Sequence, residues 1–219
     1  MQKQGMQRGK FITFEGSEGC GKSTQIERFV SSLEERGVEV IRTREPGGTA
    51  IGEKIRNLLQ FDPEGIELCD ESELLLFAAS RAQLVRHVIE PSLHAGKWVV
   101  ADRFLDSTAI YQGVGRGLNL DSVKVINRFA VGDTMPNLTF LLDLDVAIGH
   151  ARAVAASGGK MDRMESQPLA FFEAVRSGYL ELARSEPDRF AVIDASRSVD
   201  EVTEEIAKSF EERLGGVAS

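Results

Sequence analysis

The chain has 219 residues, 42% of them hydrophobic, and a formal net charge of −8. That length suits one domain with enough apolar material to cover both faces of a sheet, and the acidic balance argues against nucleic acid as a partner, leaving anion binding to local arginine clusters. Two cysteines, Cys20 and Cys69, are too few for a disulfide framework or a zinc site, and no run of about 18 apolar residues is present to span a membrane, so a cytoplasmic protein is expected.

Segment 1–9 is polar with no apolar stretch behind it and reads as a flexible tail rather than a secretory signal. A single domain is expected over 10–215. Its first strand, 11–15, runs into Gly16-Ser17-Glu18-Gly19-Cys20-Gly21-Lys22-Ser23, a full match to Gly-x4-Gly-Lys-[Ser/Thr]. Glycines let such a loop turn its amides inward onto a polyphosphate, and lysine adds a mobile positive charge. The serine hydroxyl can ligate a magnesium ion, and the helix expected from Thr24 to about Arg36 adds the partial positive charge of its N-terminus. The loop, from Gly16 to Thr24, is therefore a nucleotide phosphate cradle. Cys20 reads as a small loop filler rather than a nucleophile.

Gly37 ends that helix, and a second strand covers 38–43. Asp62-Pro63-Glu64-Gly65 matches the Asp-x-x-Gly element of switch GTPases, but it follows no buried strand and consists of turn residues, so it reads as a turn. A long helix starts near Glu71 and is closed by Pro91 and Gly96; a third strand follows at 98–101. Asp121 can cap the next helix, and further strands cover 138–144 and 190–193. The linker-like segment 155–167, containing Ser157-Gly158-Gly159-Lys160, is a candidate lid. Near-continuous apolar strands alternating with helices predict an α/β architecture, a five-stranded parallel sheet with helices on both faces.

No Asn-Lys-x-Asp guanine-reading element occurs and the chain is too short for a motor ATPase core, so a small-molecule phosphotransferase remains. Arg44 and Arg103 fall at the C-terminal ends of predicted strands, where open α/β sheets bind ligands; with Arg81 they could converge on one phosphate and hold it bidentately. Asp102, ending the strand 98–101, is the expected carboxylate near magnesium, acting through water, with Asp143 as the second choice. Glu18 is an unexpected charge inside an anion site.

Several ordered blocks carry a resemblance. They are the Phe-Glu-Gly-x-Glu-Gly-x-Gly-Lys-Ser-Thr start, Thr43-Arg44-Glu45-Pro46-Gly47-Gly48-Thr49, Leu75-Leu76-Phe77-Ala78-Ala79-Ser80-Arg81, Asp102-Arg103 with Ser107-Thr108 and Tyr111-Gln112-Gly113, and Asp162-Arg163. From about Lys10 onward the chain resembles the thymidylate kinases. The resemblance implies a three-layer P-loop nucleotide kinase fold, ATP and dTMP as substrates with magnesium, dTDP and ADP as products in dTTP biosynthesis, and a homodimer, for which the apolar helix 71–88 offers a face. The alternative is another nucleoside or nucleotide kinase on the same scaffold. It also implies that Phe77 stacks on thymine, that Gln112 reads the base edge with help from Thr108, that Tyr111 sits by the sugar, and that Glu18 binds the 3′-hydroxyl. Gly19 stands where one form of the family carries its catalytic arginine, so here the arginine is expected from the lid, Arg163 with Arg152 and Lys160 as helpers. Val154, Ala155 and Ala156 make this lid thinner in cations than the bacterial-type pattern, and Phe104 replaces a tyrosine often found after Asp-Arg.

Overall fold

The computed structural model describes residues 8–60, 68–158, 163–164 and 166–215. Lys160, Asp162 and the expected turn at 62–65 lie outside the described residues, as do residues 1–7 of the expected tail. Gly9 is no tail residue: it is buried and its amide donates to the Leu93 carbonyl at 2.9 Å.

Five strands form one parallel sheet: β1 (Phe11–Glu15), β2 (Val40–Arg44), β3 (Trp98–Asp102), β4 (Leu138–Asp143) and β5 (Phe190–Asp194), in the order β2-β3-β1-β4-β5. Alternate residues of the central strands face opposite layers. Ile12, Phe14, Val100, Phe140 and Leu142 pack against α1 (Lys22–Glu35) with Ile26, Phe29 and Leu33. The opposite side of the same strands, Phe11, Val99 and Ala101, meets Leu84, Val85, Ile89 and Val131, while Leu141 meets Val175 and Tyr179. Burial on both faces explains why these strands are apolar runs rather than alternating ones.

The helix α1 begins at Lys22, two residues earlier than expected, because Gly21 adopts a left-handed conformation (φ 89°) and turns the chain directly into it. Lys22 and Ser23 thus belong to its first turn, where free amides point outward. After β2 comes α2 (Ala50–Gln60), which the sequence pattern did not resolve. The long helix is a composite: α3 (Asp70–Leu84), a π-helical turn (Val85–Ile89) and α4 (Glu90–His94). Pro91 does not close it. It sits in the first turn of α4, where its missing N–H costs little, and the chain stops only at Gly96 with φ 77°.

Beyond β3, α5 (Leu105–Thr108) merges into a second π-helical segment (Ala109–Gly115), followed by α6 (Leu120–Val131). Asn119, not Asp121, caps α6, accepting from the Ser122 amide at 2.9 Å. Asp145 caps α7 (Val146–Ser157) through the Ala147 and Ile148 amides. The expected lid therefore begins as helix, with 155–157 continuing α7 and Gly158 ending it in a left-handed conformation. Helices α8 (Leu169–Ser185) and α9 (Val199–Leu214) complete the layers.

Candidate active site

A cleft of about 610 Å³ opens at the C-terminal ends of β1, β2 and β3, a volume typical of small-molecule sites. Sheet register builds its floor. Arg44 of β2 and Phe14 of β1 both stand opposite Asp102 of β3, so the phosphate loop, Arg44 and the Asp102-Arg103 pair emerge side by side.

On one side lies the loop after β1. Lys22 is folded over it, its Nζ donating to the Gly16 and Ser17 carbonyls at 2.9 Å each. A Cβ on Gly16 would stand 2.6 Å from the Leu142 carbonyl, and one on Gly19, which has φ +69°, 2.0 Å from the Gly149 carbonyl of α7. Side chains are sterically barred there. This accounts physically for Gly19 holding no arginine: α7 occupies the space that any side chain would need.

Facing the loop is Arg103, the one non-glycine residue with positive φ (67°) among the described residues. A backbone in this region costs roughly 1–2 kcal/mol for an L-residue, and persists only where neighbours hold it. Here they do. The Arg103 amide donates to the Phe14 carbonyl at 3.0 Å, and the next amide, of Phe104, donates to Glu15 at 2.8 Å. Buried Glu15 also accepts from the Ser107 and Tyr179 hydroxyls at 2.7 Å each, and the Arg103 guanidinium meets both hydroxyls, at 3.2 and 3.5 Å. Burial raises the Glu15 carboxyl above its ordinary range, the nearby Asp106 adding to the effect.

The other end of the Arg103 guanidinium bonds Glu18 at 2.8 Å, and the Tyr111 hydroxyl donates to both Glu18 oxygens at 2.9 Å. Burial keeps the Tyr111 hydroxyl protonated well above its usual range despite Arg103. Burial also works against the Arg103 charge, but its surroundings, with the Glu18 carboxylate among them, outweigh it and hold the guanidinium firmly protonated. The charge that looked misplaced in the loop thus has its counter-ion across the cleft.

Other expected residues divide into those lining the cleft and those behind it. Ser23, Thr24, Cys20, Arg44, Phe77, Asp102, Thr108, Gln112 and Arg152 line it. Arg44 pairs with Glu53 at 2.9 Å rather than with the adjacent Glu45. Arg81 does not reach the cleft wall. It is fully buried, bonding Glu45 through Nε at 2.8 Å and Nη2 at 2.5 Å, Asn127 at 2.7 Å and the Thr108 hydroxyl at 2.8 Å. Burial lifts the Glu45 carboxyl to about 7 even against Arg81.

Arg163 also stands outside the cleft lining, its Nη1 2.6 Å from Glu73 and its Nε donating to the Leu59 carbonyl at 3.0 Å. Arg152, on α7, lines the cleft and makes no hydrogen bond or ion pair among the described residues. Asp143 is absent from the lining; Arg176 holds both its oxygens at 2.7 and 2.9 Å. Residues the sequence reading passed over are Glu15, Glu45, Arg56, Gln60, Glu73 and Arg116. One had a signal: Glu73 precedes Phe77 by four residues and Arg81 by eight, the spacing of one helix face.

A Gly-x4-Gly-Lys-Ser loop at a sheet's C-terminal edge, facing a cleft lined by Arg44, Arg103 and the helix-borne Arg152, has the arrangement of a P-loop phosphotransferase of the nucleoside monophosphate kinase class. Comparison with known proteins specifies it further. The chain matches the family described as Thymidylate kinase over residues 14–206. It is 51% identical over 197 residues to a thymidylate kinase of Desulfosudis oleivorans, covering 88% of this chain and 92% of that one. With a thymidylate kinase of Fervidobacterium nodosum it shares 46% over 200 residues, covering 91% and 98%. The crystal structure of a thymidylate kinase from Ehrlichia chaffeensis superposes with a TM-score of 0.76 at 34% identity, covering 93% of this chain and 99% of that one. The chain belongs to the thymidylate kinase family, the phosphotransferases that pass the γ-phosphate of ATP to dTMP in dTTP biosynthesis.

Proposed function

We propose that this chain binds ATP on the loop Gly16–Thr24 and dTMP in the space bounded by Arg44, Phe77, Arg103, Tyr111 and Gln112, and aligns them for direct phosphoryl transfer. The observation that carries this reading is the strained Arg103 backbone, whose guanidinium faces the phosphate loop through Glu18. A phosphate monoester has a second pKa near 6 and is mostly dianionic at pH 7, so the acceptor needs no general base and positioning dominates. Arg103 and Arg44 grip the acceptor phosphate, and Lys22 with the first-turn amides of α1 holds the donor. Glu18 and Tyr111 meet the sugar, Phe77 stacks on the base, and Thr108 with Gln112 faces its edge. Arg81, locked to Glu45 and to Thr108, supports that wall from behind rather than clamping phosphate.

For the cation on the lid side, the structure favours Arg152 over Arg163. Arg152 lines the cleft, whereas Arg163 is committed to Glu73. A magnesium ion fits the donor set. Asp102 Oδ1 is buried without a hydrogen-bond partner at the cleft floor, and Ser23 stands exposed in the first turn of α1. Ser23 and, through water, Asp102 would hold it, and bound magnesium neutralises charge on the transferring phosphates. Among the described residues no group of three or more metal-ligating side chains is gathered, so the nucleotide's own oxygens would complete the shell.

Two coarser features complete the proposal. No helix among the described residues is long and apolar enough to cross a membrane; a cytoplasmic location is part of the proposal. Leu75 on α3 and Val125 and Phe129 on α6, which packs against α3, are exposed apolar side chains and candidates for a homodimer contact. Steady-state ADP release tests the site assignment. Arg103→Ala is expected to lose about 10²-fold or more in kcat/KM for dTMP, with the KM for ATP unchanged and ADP release abolished by EDTA in the parent. An Arg103→Ala enzyme with undiminished kcat/KM for dTMP would remove Arg103 from the acceptor site.

A further inference from the structure

Gln112 could in principle show the cleft either end of its amide, and the two choices select opposite base edges. The structure removes that freedom. Gln112 Nε2 donates at 2.7 Å to Glu73 Oε1, and Glu73 is completely buried on α3 with no surface in the cleft. Its second oxygen takes Arg116 Nη2 at 3.2 Å and Arg163 Nη1 at 2.6 Å. Burial alone would raise this carboxyl, but the Gln112 hydrogen bond and the two guanidinium groups outweigh it and hold Glu73 below its ordinary range, so it stays ionised. A carboxylate without a proton can only accept. Gln112 must therefore turn its NH₂ toward Glu73 and its carbonyl Oε1 elsewhere; Gln112 lines the cleft, and no described group donates to that oxygen.

We propose that Glu73 is a specificity-setting positioning residue: by fixing the polarity of the Gln112 amide it makes the cleft wall an acceptor, which selects a pyrimidine carrying a ring N3–H. Thymine and uracil have that proton. Cytosine presents a bare N3 lone pair in the same place, so an amide oxygen there meets repulsion and leaves both acceptors unpaired. Arg116 and Arg163 serve the selection at one remove, by keeping Glu73 charged. The inference rests on the reading that the base lies between Phe77 and Gln112.

The experiment compares kcat/KM for dTMP, dUMP and dCMP in the wild type, Glu73→Gln, Glu73→Asp and Gln112→Ala. In Glu73→Gln the neutral amide can accept or donate, so the Gln112 polarity is released; in Glu73→Asp the carboxylate is withdrawn by one methylene while its charge stays with the arginines. Either variant is expected to lower the dTMP-to-dCMP ratio by about 10-fold or more, while the dTMP-to-dUMP ratio, which reports only the 5-methyl group, stays within about 2-fold. A loss of structure alone would depress all three substrates together. If Glu73→Gln does not fold, the aspartate variant carries the test. Should Gln112→Ala lower the dTMP-to-dCMP ratio while the foldable Glu73 variant leaves it intact, the proposal for Glu73 is wrong and the base reading stands. Should Gln112→Ala itself leave the ratio unchanged, the base reading fails, and this inference with it.

Discussion

Glu45 offers a direct contest between burial and ion pairing. Its carboxyl is fully enclosed at the back of the cleft, where Arg81 gives one of its oxygens two hydrogen bonds, at 2.8 and 2.5 Å, and the other oxygen has no partner. Burial wins, and the folded-state pKa rises from 4.5 to about 7. Between these values the folded protein holds a proton that the unfolded chain has released, so raising the pH draws the equilibrium toward the unfolded state. Stability from this group is fully present below about pH 4.5 and is lost as the pH climbs through 7. One pKa unit is worth about 1.4 kcal/mol, so from pH 5 to pH 7.5 the wild type should lose roughly 2.5 kcal/mol relative to Glu45→Gln, which cannot titrate. For a chain of this size that is a relative shift of about 5–10 °C in Tm. Urea unfolding of both proteins at the two pH values, followed by far-ultraviolet circular dichroism, measures the difference, and titrations common to both cancel. A wild-type-to-variant gap that stays constant within about 0.5 kcal/mol would show instead that Arg81 keeps Glu45 ionised throughout.

Three further outcomes are expected. Gly19→Ala, which forces a Cβ toward the Gly149 carbonyl 2.0 Å away, should cost about 1–3 kcal/mol in thermal or urea unfolding and raise the KM for ATP. Arg152→Ala should lower kcat on the order of 10²-fold; Arg163→Ala should leave kcat within about 3-fold and instead lower Tm, because buried Glu73 loses an ion-pair partner. Phe129→Asp, at a side chain 88% exposed, should shift sedimentation toward the monomer without altering the fold by circular dichroism; an unchanged sedimentation coefficient would rule this surface out as the dimer contact.

The sheet was legible because each strand is a short apolar run bounded by turn residues, and every one lies within two residues of its expected limits. The loop motif was legible because it is local: Gly16 to Ser23 are consecutive in the chain. What escaped depends on partners distant in sequence. Arg81 and Arg44 look alike as types, yet Arg81 is withdrawn onto Glu45, 36 positions away, while Arg44 stays at the surface. Arg163 reads as a lid cation until the fold brings Glu73, buried and needing charge, against it. Pro91 misleads for a different reason, since the π-helical turn before it restarts the helix and makes proline a first-turn residue.

One cleft is proposed to align ATP with dTMP and to choose the base through Gln112 and Phe77. A coupled ADP-release assay with ATP and magnesium against dTMP, dUMP, dCMP, dGMP and UMP tests it most directly. The highest kcat/KM is expected for dTMP, a lower value for dUMP, far lower values for dCMP, dGMP and UMP, and no ADP release without a monophosphate; turnover favouring dCMP or dGMP, or ATP consumption independent of any acceptor, would contradict this alignment.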